Sequence, residues 1–140
     1  MQVRGSAVIQ CSADEAFRFV ANPANDPKWR SHIVSSRGSV QAVGDTVMQT
    51  YAYGGKSRSV VLEVSEYDPP ERLAYVMNDQ VRVRLAFHFR PEGNGTRVSV
   101  TLSSALTGPA AMFEGRIQTE GEKLIRTDLD RLKLACQAAE

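Results

Sequence analysis

The sequence predicts an α+β fold in which one strongly curved antiparallel sheet of about seven strands grips a long C-terminal helix, with two short helices after the first strand. Three observations lead there. The middle of the chain is a series of segments that alternate apolar and polar residues with period two, each ended by a Gly, Asn or Pro turn. The stretch from about Pro109 to Ala138 carries a helical apolar stripe long enough to cross a whole sheet. The first strand has no strand beside it in sequence, so it must pair with a later one.

With 140 residues the chain is expected to form one domain over 1–140, large enough to bury a core without staples. A net charge of +1 lacks the basic surplus that nucleic-acid binding calls for, so nucleic acid is not an expected partner. No apolar run is long enough to span a bilayer, which argues against integral membrane association. Met1-Gln2-Val3-Arg4-Gly5 does not read as a signal peptide, so a cytoplasmic location is expected. Cys11 and Cys136 lack metal-ligand spacing and read as structural thiols of a reducing compartment. No metal and no cofactor is expected.

The first strand runs roughly from Gln2 to Gln10, with Val3, Ala7 and Ile9 in period. Ser12-Ala13-Asp14-Glu15 is a capping box that opens a helix bearing Ala16, Phe17 and Val20 on one side. Pro23 ends it, because proline disfavours helix in the residue before it. A second helical turn is predicted over Ala24 to Arg30. Strands follow at Thr46 to Tyr53, Ser57 to Tyr67, Leu73 to Met77, Val81 to Phe89 and Thr96 to Ser104. Their turns are Gly54-Gly55, Asp68-Pro69-Pro70-Glu71, Asn78-Asp79 and Gly93-Asn94-Gly95. On the fourth of these strands Val81, Val83, Leu85, Phe87 and Phe89 alternate with Arg82, Arg84, Ala86, His88 and Arg90, the mark of a sheet wet on one face. Along the last helix Ile117, Gly121, Leu124, Ile125, Leu132 and Ala135 share a stripe. Gly121 costs about 1 kcal/mol against alanine in mid-helix, so something is expected to approach the backbone there.

Four stretches carry a resemblance. Ile9-Gln10-Cys11-Ser12-Ala13-Asp14-Glu15-Ala16-Phe17, Asn22-Pro23-Ala24-Asn25-Asp26-Pro27-Lys28-Trp29, Val43-Gly44-Asp45 and Tyr67-Asp68-Pro69-Pro70-Glu71-Arg72-Leu73 occur in the order of a known fold. Together they resemble the START-like (SRPBCC) superfamily, and within it the polyketide cyclase/dehydrase and lipid-transport group of Bet v 1-like, helix-grip proteins. The resemblance implies a cavity between helix and sheet that holds a hydrophobic molecule, with catalysis in only some members.

Candidate site residues follow. Trp29, the sole tryptophan, either lines a cavity mouth or plugs the core. Tyr51, Tyr53, Tyr75 and Met77 could orient a polar group of an apolar ligand, or merely pack, since the inner face of the Thr46–Tyr53 strand is open. Leu62, Val83, Leu85, Phe87 and Val100 supply the apolar sheet wall, and Ile117, Gly121 and Leu124 the helix wall. Asp128 falls inside the apolar stripe, where a carboxylate is expensive unless paired. It is a candidate for a general base or ligand anchor, against a structural partner such as an arginine. His32 could reach a cavity rim, whereas His88 should face water. Arg82, Arg84 and Arg90 make an outer basic row that reads as a solvated face, or as a partner surface. The expectation is a monomer or homodimer that binds a lipid-like, aromatic or polyketide-like molecule; the alternative is a cyclase or dehydratase using the same cavity.

Overall fold

A computed structural model describes residues 1–78, 82–104 and 114–138; the side chains of Tyr53, Asn78, 114–117 and 137–138 are outside the description. Strand β1 (Gln2–Ile9) leads to α1 (Ala13–Ala21), a 3₁₀ turn (Pro23–Asn25) and α2 (Asp26–Trp29). Strands β2 (Ile33–Gly38), β3 (Thr46–Tyr53), β4 (Lys56–Asp68), β5 (Arg72–Asn78), β6 (Arg82–Glu92) and β7 (Gly95–Ser104) follow, then α3 (Glu114–Ala138). The expected starts at Val81 and Pro109 and the Asn78-Asp79 turn fall on or beside residues outside the description.

The sheet order is β1-β7-β6-β5-β4-β3-β2, with every neighbouring pair antiparallel. The N-terminal strand does pair with the last one, Val3 opposite Leu102 and Ala7 opposite Val98. Gly54 and Gly55 have φ of 60° and 79°, which suits a two-residue hairpin between Tyr53 and Lys56. Register shifts between Val64 and Glu66 and between Ile33 and Ser35 are the bulges that bend such a sheet.

The Ser12 box is half made. The Ser12 hydroxyl accepts from the Glu15 amide at 3.2 Å, but it also donates to the Glu15 carboxylate, which a full capping box places on the Ser12 amide. Helix α3 crosses β1, where the glycines let it come close. A methyl group at Gly121 would sit 3.1 Å from the Val3 side chain, and one on Gly5 would meet Ile125. This is the close approach expected of a buried mid-helix glycine. Ile125, Asp128, Leu129, Leu132 and Cys136 are the deeply buried positions of α3.

Val83, Leu85, Phe87, Val98, Val100 and Leu102 face inward, and Arg82, Arg84 and His88 are exposed. Two features depart from the sequence pattern. Strand β2 has no counterpart in the sequence pattern, because its Ile33–Gly38 segment has no apolar alternation and lies at the sheet edge. On β5, Ala74 and Val76 are buried as well as Leu73 and Tyr75. They occupy a strand flanked on both sides, and Val76 lies in register between Glu63 and Arg84, whose long stems screen the outer face.

Candidate functional site: a cavity between sheet and long helix

Strands β3 to β7 turn alternate side chains toward α3, and on β3 those are Val47, Gln49 and Tyr51, while Met48 points out. This settles the inner face that sequence left open. A cavity of about 310 Å³ lies there. Its apolar wall is Val60, Leu62, Met77, Val83, Leu85 and Leu102 from the sheet, Ile33 from β2 and Leu124 from α3. Its polar groups are Arg30, His32, Gln49, Tyr51 and Tyr75. A smaller pocket of about 50 Å³ shares Arg30, Leu85, Leu102 and Leu124 with it and adds Trp29, Phe87, Val100, Gly121 and Asp128. A groove between Ser31-His32 and the Glu120–Thr127 stretch of α3 adjoins through His32 and Leu124.

The sequence-expected residues therefore divide in two. Tyr51, Leu62, Tyr75, Met77, Val83, Leu85 and Leu124 border the larger cavity. Trp29, Phe87, Val100, Gly121 and Asp128 border the smaller one. The side chains of Tyr53 and Ile117 lie outside the description. Trp29 is 1% exposed and packs edge-to-face on Phe87 with ring centres 5.9 Å apart, so it is a core plug and a pocket wall at once. Its Nε1 is buried with no hydrogen-bond partner among the described residues.

Asp128 is paired. Its carboxylate accepts from Arg30 Nε at 3.3 Å, from the Ser31 amide at 2.9 Å and from the Ser31 hydroxyl at 2.6 Å. This pins α3 to the end of α2, and Arg131 adds bonds to the Pro27 and Lys28 carbonyls. The Arg30 guanidinium lies 5.5 Å from the Trp29 ring centre, which adds a cation–π contact.

A second buried carboxyl was not anticipated. Asp26 accepts from the Ser36 hydroxyl at 2.7 Å and from the Gln49 amide at 2.8 Å. Burial pushes its pKa above the ordinary 3.8, against the pull of the Ser36 and Gln49 hydrogen bonds and the Arg30 charge. Burial, helped by the Asp26 carboxyl, also pushes the Tyr75 phenol up, so Tyr75 remains a protonated donor. Sequence reasoning missed Asp26, Arg30 and Gln49 as a set. Gln49 left one signal, a polar residue in period with Val47 and Tyr51. Asp26 read simply as part of a Pro-bearing turn.

His32 borders the cavity, while His88 is exposed on the outer face. Arg82, Arg84 and Arg90 are exposed. Among the described residues no group of three His, Cys, Asp or Glu could hold a metal ion, and no helix is long and apolar enough to cross a membrane.

The sheet and helix define an α+β helix-grip fold, with a cavity between them. Residues 1–137 match the family described as polyketide cyclase/dehydrase and lipid transport, and the chain belongs to it. The structure is similar to TTHA0849 from Thermus thermophilus, at 20% identity and a TM-score of 0.84, covering 100% of this chain and 99% of that one. A START superfamily protein from Mycobacterium smegmatis gives 14% identity and 0.79, with 99% of each chain covered. The di-domain ARO/CYC BexL from the BE-7585A biosynthetic pathway gives 18% and 0.74, covering 95% of this chain and 45% of that one. At such identities the likeness carries the fold alone. No curated protein matches the sequence.

Proposed function

We propose that this protein binds a hydrophobic small molecule in the space between its sheet and α3. The observation that carries the reading is the cavity of about 310 Å³ with a largely apolar wall. Drug-sized ligands occupy cavities of roughly 300–1,000 Å³ lined by apolar side chains with a few convergent polar groups. At the small end of that range, one or two rings or a short chain fit better than a two-tailed lipid. Leu62, Tyr75, Met77, Val83, Leu85 and Leu124 are the proposed contacts, with Trp29, Phe87, Val100, Gly121 and Asp128 closing the adjoining pocket.

A fluorescent naphthalene or fatty-acid probe should bind saturably. Leu124→Trp should abolish that binding, because an indole at this position fills the cavity from the helix side. Saturable binding unchanged by Leu124→Trp would place the site elsewhere.

A cyclase- or dehydratase-type enzyme is the second reading. Buried Asp26, with its raised pKa and its link through Gln49 to the cavity, favours it. Binding is preferred because both carboxylates are already engaged, Asp128 by Arg30 and Ser31 and Asp26 by Ser36 and Gln49. Mass spectrometry of candidate polyketone chains incubated with the protein separates the two readings, since a carrier returns them unchanged.

A further inference from the structure

The outer face of the sheet carries two arrays of opposite charge side by side. On β6, Arg82, Arg84 and Arg90 are exposed, and on β4, Glu63 and Asp68 are exposed beside a half-buried Glu66. None of these side chains makes an ion pair among the described residues. Strand β5 stands between the arrays, and the register across it is regular. Glu63, Val76 and Arg84 share one row. Asp68, Arg72 and His88 share another, and Ala74 and Ala86 lie in the row between. Neighbouring strands are about 4.8 Å apart, so the acid and the base of one row are roughly 10 Å apart within one chain.

Opposite charges placed symmetrically about a central strand suit a two-fold interface. When the same face of a second copy is laid on this one with the axis along β5, β4 of each chain falls on β6 of the other. Glu63 then faces Arg84 of the other copy, and Asp68 faces His88 in the same way. On the axis Val76 and Ala74 meet their own counterparts, and their small size lets the two sheets approach. Arg72 meets its counterpart too, but Asp68, its cross-strand neighbour, stands beside it in each chain. The net charge of +1 leaves two whole chains with little mutual repulsion. A flat polyanion suits the face less well, because it would cover the acidic strip of β4 together with the arginines.

We infer that the outer sheet face is an interaction surface for a second copy of this chain, paired about β5 through reciprocal Arg84–Glu63 contacts. The inference is independent of what the cavity holds. The sheet bends around α3, so only its central strands reach their counterparts. Three strands cover well under the ~800 Å² per partner of a stable complex, so the dimer is weak, transient and held by charge.

Sedimentation velocity on the full chain tests this. At low ionic strength and protein concentrations up to about 1 mM, the average mass should climb from 15.4 kDa toward twice that value. Sodium chloride at about 0.5 M should return it to the monomer mass, because the Debye length is then only about 4 Å. Arg84→Glu and Glu63→Arg should each weaken association at least about tenfold, since each sets like charges together at two symmetry-related places. The double variant R84E/E63R exchanges both partners and should restore association to within about threefold of wild type. Both positions are exposed, so thermal melts of all three variants should stay close to wild type. Single swaps that move the melting temperature and leave the mass unchanged would show the two charges acting only within one chain, and would overturn the inference. A chain that stays monomeric at every concentration overturns it, as does a dimer indifferent to salt or to either single swap. Binding of the monomer to phosphatidylglycerol vesicles, lost in Arg84→Glu, also overturns it and gives the arginines to an anionic membrane surface.

Discussion

Replacing Asp128 by Asn tests whether the carboxylate in the apolar stripe of α3 is structural. An Asn Oδ1 turned toward Ser31 keeps both Ser31 bonds, which now measure 2.9 and 2.6 Å. The amide NH₂ then faces Arg30 Nε, donor against donor, where a charge-assisted bond of 3.3 Å stood. Such a bond is worth about 1.5–3 kcal/mol, and breaking a fully buried ion pair costs about 3–5 kcal/mol. The Arg30 side chain is 20% exposed and borders a cavity, so water can partly solvate the stranded guanidinium. The loss should therefore sit near the lower figures, at about 2 kcal/mol. For a chain of this length that corresponds to a fall in Tm of about 6 °C. Thermal melts by circular dichroism would measure it, and a double-mutant cycle with Arg30→Gln would show whether the loss belongs to the pair. A mutant melting within about 1 °C of wild type would refute the structural assignment and return Asp128 to the candidates for proton chemistry.

Asp26 should make the protein less stable as pH rises. Its folded pKa lies above 3.8, so between the two values the folded state binds more protons than the unfolded one, and its stabilising share is lost as pH climbs through the folded pKa. Asp26→Asn keeps an oxygen for Ser36 and Gln49 and cannot ionise, so its stability relative to wild type should grow from about pH 4 upward and then level off; a constant difference in urea midpoints would contradict this. Deleting the chain from Pro109 onward should give insoluble protein, because the inner sheet face would become a large exposed apolar patch; a soluble truncation with a cooperative melt would count against α3 as the cover of the core. The Cys11 and Cys136 sulfurs lie 2.7 Å apart in the core although 125 residues separate them. Mild oxidation with a disulfide or diazene oxidant should join them with loss of two hydrogens and add roughly 4–5 kcal/mol, the constraint expected for so long a loop; an unchanged mass after oxidation of the intact protein would refute it.

Local periodicity made the fold legible. The alternation of Leu85, Phe87 and Phe89 with Arg84, His88 and Arg90 told inside from outside, because a pleated strand turns every second side chain the same way. The box at Ser12, the Gly54-Gly55 hairpin and the stripe of α3 were legible for the same reason: each depends on residues within a few positions of one another. The edge strand β2 was not, since Ile33–Gly38 has little apolar face to alternate.

The polar end of the cavity was decided only by the tertiary structure. The sequence showed a carboxylate out of place at Asp128, but nothing near it in the chain named Arg30, 98 residues away. Asp26 and Gln49 meet across 23 residues, and period-two alternation on β3 is equally consistent with either face pointing in. Which face is buried depends on the path of the whole sheet and on where α3 comes down on it. Secondary structure follows from short-range backbone geometry that a sequence displays. The convergence of Arg30, Tyr75, Gln49 and Asp26 follows from long-range packing, which decides distances that no local spacing encodes.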